Sequence, residues 1–161
     1  MTRVVIFGGG GFIGNHLCEY YLNKNLKVLF IDNFLSSSKK NIERLLKNKN
    51  FSFKKRNIMN YIDIESDLYL NLASPASPIH YQLDPINTFK TNIIGSLNVL
   101  KLATKYKATI FQASTSEVYG NPKGHPQTED YFGNTNPVGI RSCYNESKRA
   151  AESIFFDYKR M

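Results

Sequence analysis

Four consecutive glycines and a fifth three residues later, Gly8-Gly9-Gly10-Gly11-Phe12-Ile13-Gly14, constrain this chain more than any other stretch. They follow residues 3–7 (RVVIF), a short apolar run that suits a strand buried on both faces. They lead into a run with Ile13, Leu17, Tyr20 and Tyr21 at helical spacings. A strand that turns at once into a helix packed on it leaves little room for side chains in the turn. The helix N-terminus then offers unpaired N–H groups and the positive end of its dipole to a phosphate. Gly8, Gly11 and Gly14 fit GxxGxxG, whereas Gly9, Gly11 and Gly14 fit GxGxxG, so the spacing leaves both open. A second strand, residues 27–31 (KVLFI), ends at Asp32, about 20 residues beyond the turn, as a dinucleotide site requires. A carboxylate there accepts hydrogen bonds from both ribose hydroxyls and repels a 2′-phosphate. Asn33, Phe34 and Leu35 follow, without an arginine to receive that phosphate. NAD is therefore expected over NADP, with Lys39 and Lys40 as the residues able to reverse the choice.

The rest of the chain continues the alternation. Asn41 is expected to cap a helix carrying Ile42, Leu45 and Leu46. Residues 51–55 and 67–72 read as strands three and four. Pro75 and Pro78 are expected to keep the following segment irregular. Asp84 before Pro85 is a helix start, and that helix is expected to reach about residue 106. Residues 108–113 read as a fifth strand, 120–141 as a polar loop and 144–159 as a last helix. Strands and helices alternating in this way predict an α/β fold, a doubly wound parallel sheet with helices on both faces.

The chain has 161 residues, enough for one domain with a core. No stretch approaches the roughly 20 apolar residues of a membrane span, and no secretory signal pattern opens the chain. A cytoplasmic protein without a membrane partner is expected. Cys18 and Cys143, like His16, His80 and His125, show no metal-ligand spacing, so no metal is expected. The net charge of +8 raises nucleic-acid binding as a possibility. The densest basic run, Lys39, Lys40, Arg44, Lys47, Lys49, Lys54, Lys55 and Arg56, lacks interleaved stacking aromatics and reads as a solvated face. The phenylalanines and tyrosines are expected mainly in the core.

Two features carry chemistry. Tyr144 and Lys148, spaced i, i+4, share one helix face. A tyrosine with a pKa of about 10 is a poor base at neutral pH, but a neighbouring ammonium favours its phenolate. Such a phenolate can take a proton from a substrate hydroxyl. The stretch from Ala113 through Thr115, Ser116 and Glu117 to Gly120 begins at the carboxyl end of the fifth strand. That end is where open α/β sheets bind ligands.

Taken together, GGGGFIG, DNF, LASPAS, STSEVYG and YNESK resemble, in order, the motifs of the extended short-chain dehydrogenase/reductase family. Within it the likeness is nearest to the UDP-glucuronate decarboxylases, through LASPASPIHY, STSEVYGNP and HPQTEDYFGNTNPVGIRSCYNESKR. The resemblance implies a Rossmann-like NAD-binding domain over residues 1–161, incomplete at its C-terminus and lacking the substrate domain. It implies catalytic roles for Thr115, Ser116, Glu117, Tyr144 and Lys148. Gly8, Gly11, Phe12, Ile13, Gly14, Asp32, Asn33, Ser36, Asn57, Ile58, Leu72, Ser74, Thr91, Ala113, Tyr144 and Lys148 would hold the cofactor. Lys90, Asn98, Lys105, Thr115 and Tyr144 would meet the UDP-sugar. Three positions depart from the family pattern: Asn57 stands for aspartate, Ser37 for glycine and Lys105 for arginine.

The implied reaction oxidises C4 of UDP-glucuronate, loses carbon dioxide from the resulting β-keto acid and re-reduces C4 to give UDP-xylose. Ser116 fits this reading, because the related 4,6-dehydratases carry aspartate there to protonate a leaving hydroxyl, and carbon dioxide needs no such acid. A dTDP-glucose 4,6-dehydratase or a UDP-sugar 4-epimerase is the alternative within the family. A catalytically silent NAD-binding module is the alternative of another class. A homodimer is expected for the full-length protein.

Overall fold

The computed structural model describes residues 2–161. Five strands form one parallel sheet: β1 (Arg3–Phe7), β2 (Lys27–Asp32), β3 (Phe51–Lys55), β4 (Leu68–Asn71) and β5 (Thr109–Gln112), in the order β3-β2-β1-β4-β5. The α/β expectation holds. Side chains alternate across β1 with a period of two. Val4 and Ile6 pack with Val28, Phe30, Cys18 and Leu22, the last two on α1 (Phe12–Asn23). Val5 and Phe7 pack with Leu29, Ile31 and Tyr69 against Val99 and Leu102 of α3 (Pro85–Tyr106). Each face of the sheet is thus covered by a helix, as a parallel sheet requires. A last helix, α4 (Ser142–Arg160), packs on α3, where Asn92 Nδ2 donates to Ser147 Oγ at 2.8 Å.

The chain runs from β1 outward through β2 and β3, then returns to the other side of β1 for β4. Strand order therefore reverses between β1 and β4, and a crevice opens there above the carboxyl ends of the strands. β5 forms where a fifth strand was expected, and it lies at the sheet edge with Phe111 half-exposed.

Several local expectations are corrected. α1 buries Gly14, Cys18 and Leu22 rather than Ile13 and Tyr20, which are exposed. Small residues on that face let the helix lie close to the strands. Asn41 caps no α-helix: Lys39–Ile42 and Leu45–Lys47 are two short 3₁₀ turns, and Ser38 Oγ accepts from Lys40 N–H at 3.3 Å. Asn41 Nδ2 instead donates to the Gly10 carbonyl at 2.9 Å and ties this segment to the glycine turn. Pro78 does not prevent regular structure but starts a short helix, α2 (Pro78–Leu83), at the position where a missing N–H costs nothing. Asp84 does open α3, accepting from Asn87 N–H at 3.0 Å. The aromatics divide: Phe7, Phe30, Tyr69, Tyr81 and Tyr144 are buried, while Phe12, Phe89, Phe111, Phe132 and Phe156 are exposed.

Candidate active site

The glycine turn forms one wall of the crevice. Gly8 has φ +78°, a left-handed conformation that favours glycine, and a Cβ there would stand 2.7 Å from the Ala73 backbone nitrogen. A Cβ on Gly14 would stand 2.4 Å from the Gly8 carbonyl oxygen. Gly11 caps α1 and lines the groove, and the N–H groups of Phe12 and Ile13, in the first turn, lack intrahelical partners. The groove is lined by Gly8, Gly11, Asp32, Asn33, Ser36, Ile58, Leu72, Ser74 and Thr91, all drawn to one place from five separate segments.

Asp32 sits at one end, held by three donors: Gly10 N–H at 3.0 Å, Phe34 N–H at 2.7 Å and Ser37 Oγ at 3.2 Å. Ser37, the departure from the family glycine, therefore orients the carboxylate. Arg56 lines the same end and escaped the sequence reading. Parallel pairing sets Asp32 opposite Lys55, which delivers the next residue, Arg56, to the groove. Asn57 does not line the groove; its Oδ1 accepts from Met59 N–H at 2.9 Å and shapes the turn that presents Ile58.

Beyond the carboxyl end of β5 comes the Thr115–Ser116–Glu117 triplet, which is not part of the groove lining. Thr115 Oγ1 accepts from Glu117 N–H at 3.2 Å and starts a single 3₁₀ turn, Ser116–Tyr119. α4 brings Tyr144 and Lys148 against it, 7% and 3% exposed. Burial pushes the Tyr144 phenol above its ordinary value, the Thr115 hydroxyl opposes that rise, and the Glu117 carboxylate adds to it. Two residues that sequence reasoning missed frame this corner. The Tyr81 ring stacks on Tyr144 with centroids 5.0 Å apart and planes 4° apart. Arg141 Nε donates to the Tyr81 hydroxyl at 2.9 Å, and the same guanidinium pairs with Glu117. Tyr81 lies in the quoted LASPASPIHY stretch, but only the fold shows that it faces Tyr144.

Lys148 Nζ donates to the Ala113 carbonyl at 2.8 Å and lies 5.9 Å from the Tyr144 ring centroid. Burial pushes its ammonium down from 10.5 to about 8, with Glu152 acting in the opposite direction. The folded-state value lies below the unfolded one. Between those two values the unfolded chain binds more protons, so stability rises with pH, and below about pH 8 the full cost of about 3 kcal/mol applies. Lys148→Met is therefore expected to stabilise the protein at pH 7 by about 1–3 kcal/mol in urea unfolding, a gain that fades toward pH 10.5. Lower stability at pH 7 would show that the bond to Ala113 outweighs the burial cost.

Of the residues expected at the sugar nucleotide, Thr115 and Tyr144 meet, whereas Lys90, Asn98 and Lys105 lie apart from them along α3. Lys105 lies in the last turn of α3, which leads into the amino end of β5, the edge of the sheet away from the crevice. There it pairs with Asp63 at 2.5 Å. Asn98 Nδ2 donates to the carbonyls of Ile58 and Met59, both at 2.9 Å, and so braces the groove wall instead of facing a sugar. Lys90 is exposed next to Thr91. Among the described residues no group of three or more His, Cys, Asp or Glu side chains comes together as a metal site.

The model of the GDP-mannose 4,6 dehydratase family matches residues 5–161. The chain belongs to that family. This places it among the extended short-chain dehydrogenases/reductases, as the motifs implied. UDP-glucuronic acid decarboxylase 4 of Arabidopsis thaliana is 46% identical over 160 residues, 99% of this chain and 36% of that protein. UDP-glucuronic acid decarboxylase 1 of Danio rerio is 45% identical over 158 residues, 98% of this chain and 38% of that protein. The chain thus spans little more than a third of the length of either relative. UDP-glucose 4-epimerase of Thermotoga maritima, solved with UDP-glucose, superposes with a TM-score of 0.83 at 26% identity, covering 99% of this chain and 52% of that one. UDP-glucose 4-epimerase of Thermus thermophilus, solved with NAD, gives 0.78 at 25% identity, with 99% and 51% covered.

Proposed function

We propose that this family member is the NAD-binding part of a UDP-glucuronate decarboxylase that forms UDP-xylose. The observation that carries the reading is the meeting of the Thr115–Ser116–Glu117 turn with a buried Tyr144 and Lys148 beyond the carboxyl end of β5. The near-complete alignment with two decarboxylases supports it. The groove fits NAD: its glycine wall has no space for a Cβ at Gly8 or Gly14, and Asp32 stands ready for a ribose. Phe12, Ile13 and Gly14 would hold the pyrophosphate, and Asn33, Ser36, Ile58, Leu72, Ser74 and Thr91 would hold the adenosine and its ribose. Ala113 and Lys148 would hold the nicotinamide and its ribose. The NAD-bound epimerase of the same fold supports this choice.

Bound NAD supplies a hydride acceptor and donor. Tyr144 takes the proton of the C4 hydroxyl, and Thr115 holds that oxygen. A ketone at C4 makes the C5 carboxylate that of a β-keto acid, whose electrons can enter an enolate when carbon dioxide leaves. Glu117 acts next to C5 and its departing carboxylate. Ser116 donates no proton to a leaving group, and none is needed. Lys90 approaches the sugar nucleotide from α3. In this reading residues 1–161 are the cofactor-binding part, and a further part of the protein, comparable to the extra length of the relatives, completes the sugar-nucleotide site. The exposed Phe132, Val138, Ile140 and Phe156 are surface that such a part, or the second subunit of a homodimer, would cover. The protein is further proposed to be cytoplasmic and to bind no nucleic acid. No helix among the described residues is long and apolar enough to cross a membrane.

The test is to incubate the protein expressed from its complete reading frame with NAD and UDP-glucuronate and to follow the sugar by proton NMR. UDP-xylose is the expected product. Conversion of dTDP-glucose or UDP-glucose instead would assign the chain to the dehydratases or epimerases. Turnover of none of them, with NAD retained, would make it a silent binding module.

A further inference from the structure

Ala113 and Ser114 are the two residues by which the chain leaves β5 for the catalytic triplet, and α4 grips each of them. Lys148 Nζ donates to the Ala113 carbonyl at 2.8 Å. One helical turn further on, Glu152 accepts a hydrogen bond from Ser114 Oγ. Tyr144, Lys148 and Glu152 are spaced i, i+4, i+8, so one face of α4 carries all three. We propose that Ser114 and Glu152 form a positioning clamp: Glu152 is the counter-charge of the Lys148 ammonium and, through Ser114, sets the strand exit that carries Thr115 and Glu117 to Tyr144. The proposal rests on the site reading above and adds two residues to it.

The clamp acts where the sheet stops holding the chain. Ala113 N–H still bonds the Asn71 carbonyl at 3.0 Å. Beyond it, side chains hold the exit: Ser114 on Glu152, and Thr115 Oγ1 on Glu117 N–H. Without the first of these bonds, an exposed edge residue would join β5 to the triplet, and that link would be free to swing.

The charge arrangement points the same way. Lys148 is 3% exposed, and a buried ammonium without a counter-charge readily loses its proton. Glu152 is the carboxylate whose field supports it. On the same helix the Tyr144 phenol lies nearby, while Glu117 acts on that phenol and is paired with Arg141. On α3 the neutral Asn92 donates to Ser147, the adjoining position of α4. Glu152 itself is half-buried and has no part in the proton transfers proposed for Thr115, Glu117 and Tyr144.

The experiment is an NMR titration of the Lys148 side chain in the lysine-labelled full reading-frame protein, with the signal assigned by Lys148→Arg. The midpoint is expected near 8 in the wild type. Glu152→Gln is expected to weaken proton affinity about tenfold, lowering the midpoint by about one pH unit. Glu152→Asp keeps the charge and is expected to recover part of that loss. Ser114→Ala is expected to leave the midpoint nearly in place while shifting and broadening the amide signals of Thr115, Ser116 and Glu117. A folded Glu152→Gln protein with an unmoved midpoint would overturn the counter-charge role. Unmoved triplet signals in Ser114→Ala would overturn the clamp. If Glu152→Gln fails to fold, the Glu152→Asp midpoint and the Ser114→Ala spectrum decide in its place. No substrate is present, so failure here is separate from failure of the decarboxylase reading, which the product assay decides.

Discussion

Tyr144→Phe is expected to reduce turnover of UDP-glucuronate by about a thousandfold while leaving NAD affinity within about twofold, since a positioned acid–base group contributes typically 10²–10⁴. The variant removes one oxygen and keeps the ring. Stacking on Tyr81, at 5.0 Å and 4°, persists, so the corner retains its shape. The hydroxyl that would take the C4 proton is lost, and Thr115 remains as a neutral hydroxyl unable to replace it. Steady-state kinetics with calorimetric NAD titration separates the two effects. Equal losses of NAD binding and turnover would mean that Tyr144 serves the groove and not the proton transfer. The wild-type pH profile provides a second check. Burial and Glu117 hold the Tyr144 phenol above its ordinary value in the free protein, so turnover is expected to rise with pH as the phenolate forms.

Gly14→Ala is expected to abolish measurable NAD binding and to destabilise the fold by about 2–4 kcal/mol, in the range of an overpacked core with strained backbone. The added methyl would meet the Gly8 carbonyl oxygen at 2.4 Å and the Gly9 Cα at 2.6 Å, both backbone atoms that cannot rotate away. α1 has to move off β1, and the first-turn N–H groups of Phe12 and Ile13 move with it. Gly11→Ala is the contrasting control. Its nearest neighbour would be the Gly8 oxygen at 3.5 Å, an ordinary contact, so the fold is expected to keep most of its stability. Urea unfolding and NAD calorimetry read both variants, and a Gly14→Ala protein that binds NAD normally would show that the turn is not the pyrophosphate cradle.

Much of the cofactor groove was legible in the chain because its determinants are local. A β-branched strand, a glycine turn, a helix and an acid at the end of the next strand lie within the first 32 residues, and the structure keeps that order. The start of α3 was equally local, since Asp84 and Pro85 do the capping themselves. Failures came where a nearby segment changed what a residue does. Asn41 looked like a cap, but the glycine turn lies within its reach and takes its amide. Ile13 and Tyr20 fitted a helical stripe, but tight packing on β1 selected Gly14 and Cys18 for the inner face.

The sequence by itself determined the fold class, the glycine cradle, Asp32 and the pairing of Tyr144 with Lys148, because each is specified by residues within a few positions or one helical turn. The tertiary structure alone decided that Arg56 and Ser37 join Asp32, and that Tyr81 and Arg141 frame Tyr144 and Glu117. It also decided that Lys105 stands at the far edge of the sheet. Those placements follow from strand register, from the direction in which α3 crosses the sheet and from the packing of α4, and none of these is encoded by neighbours along the chain.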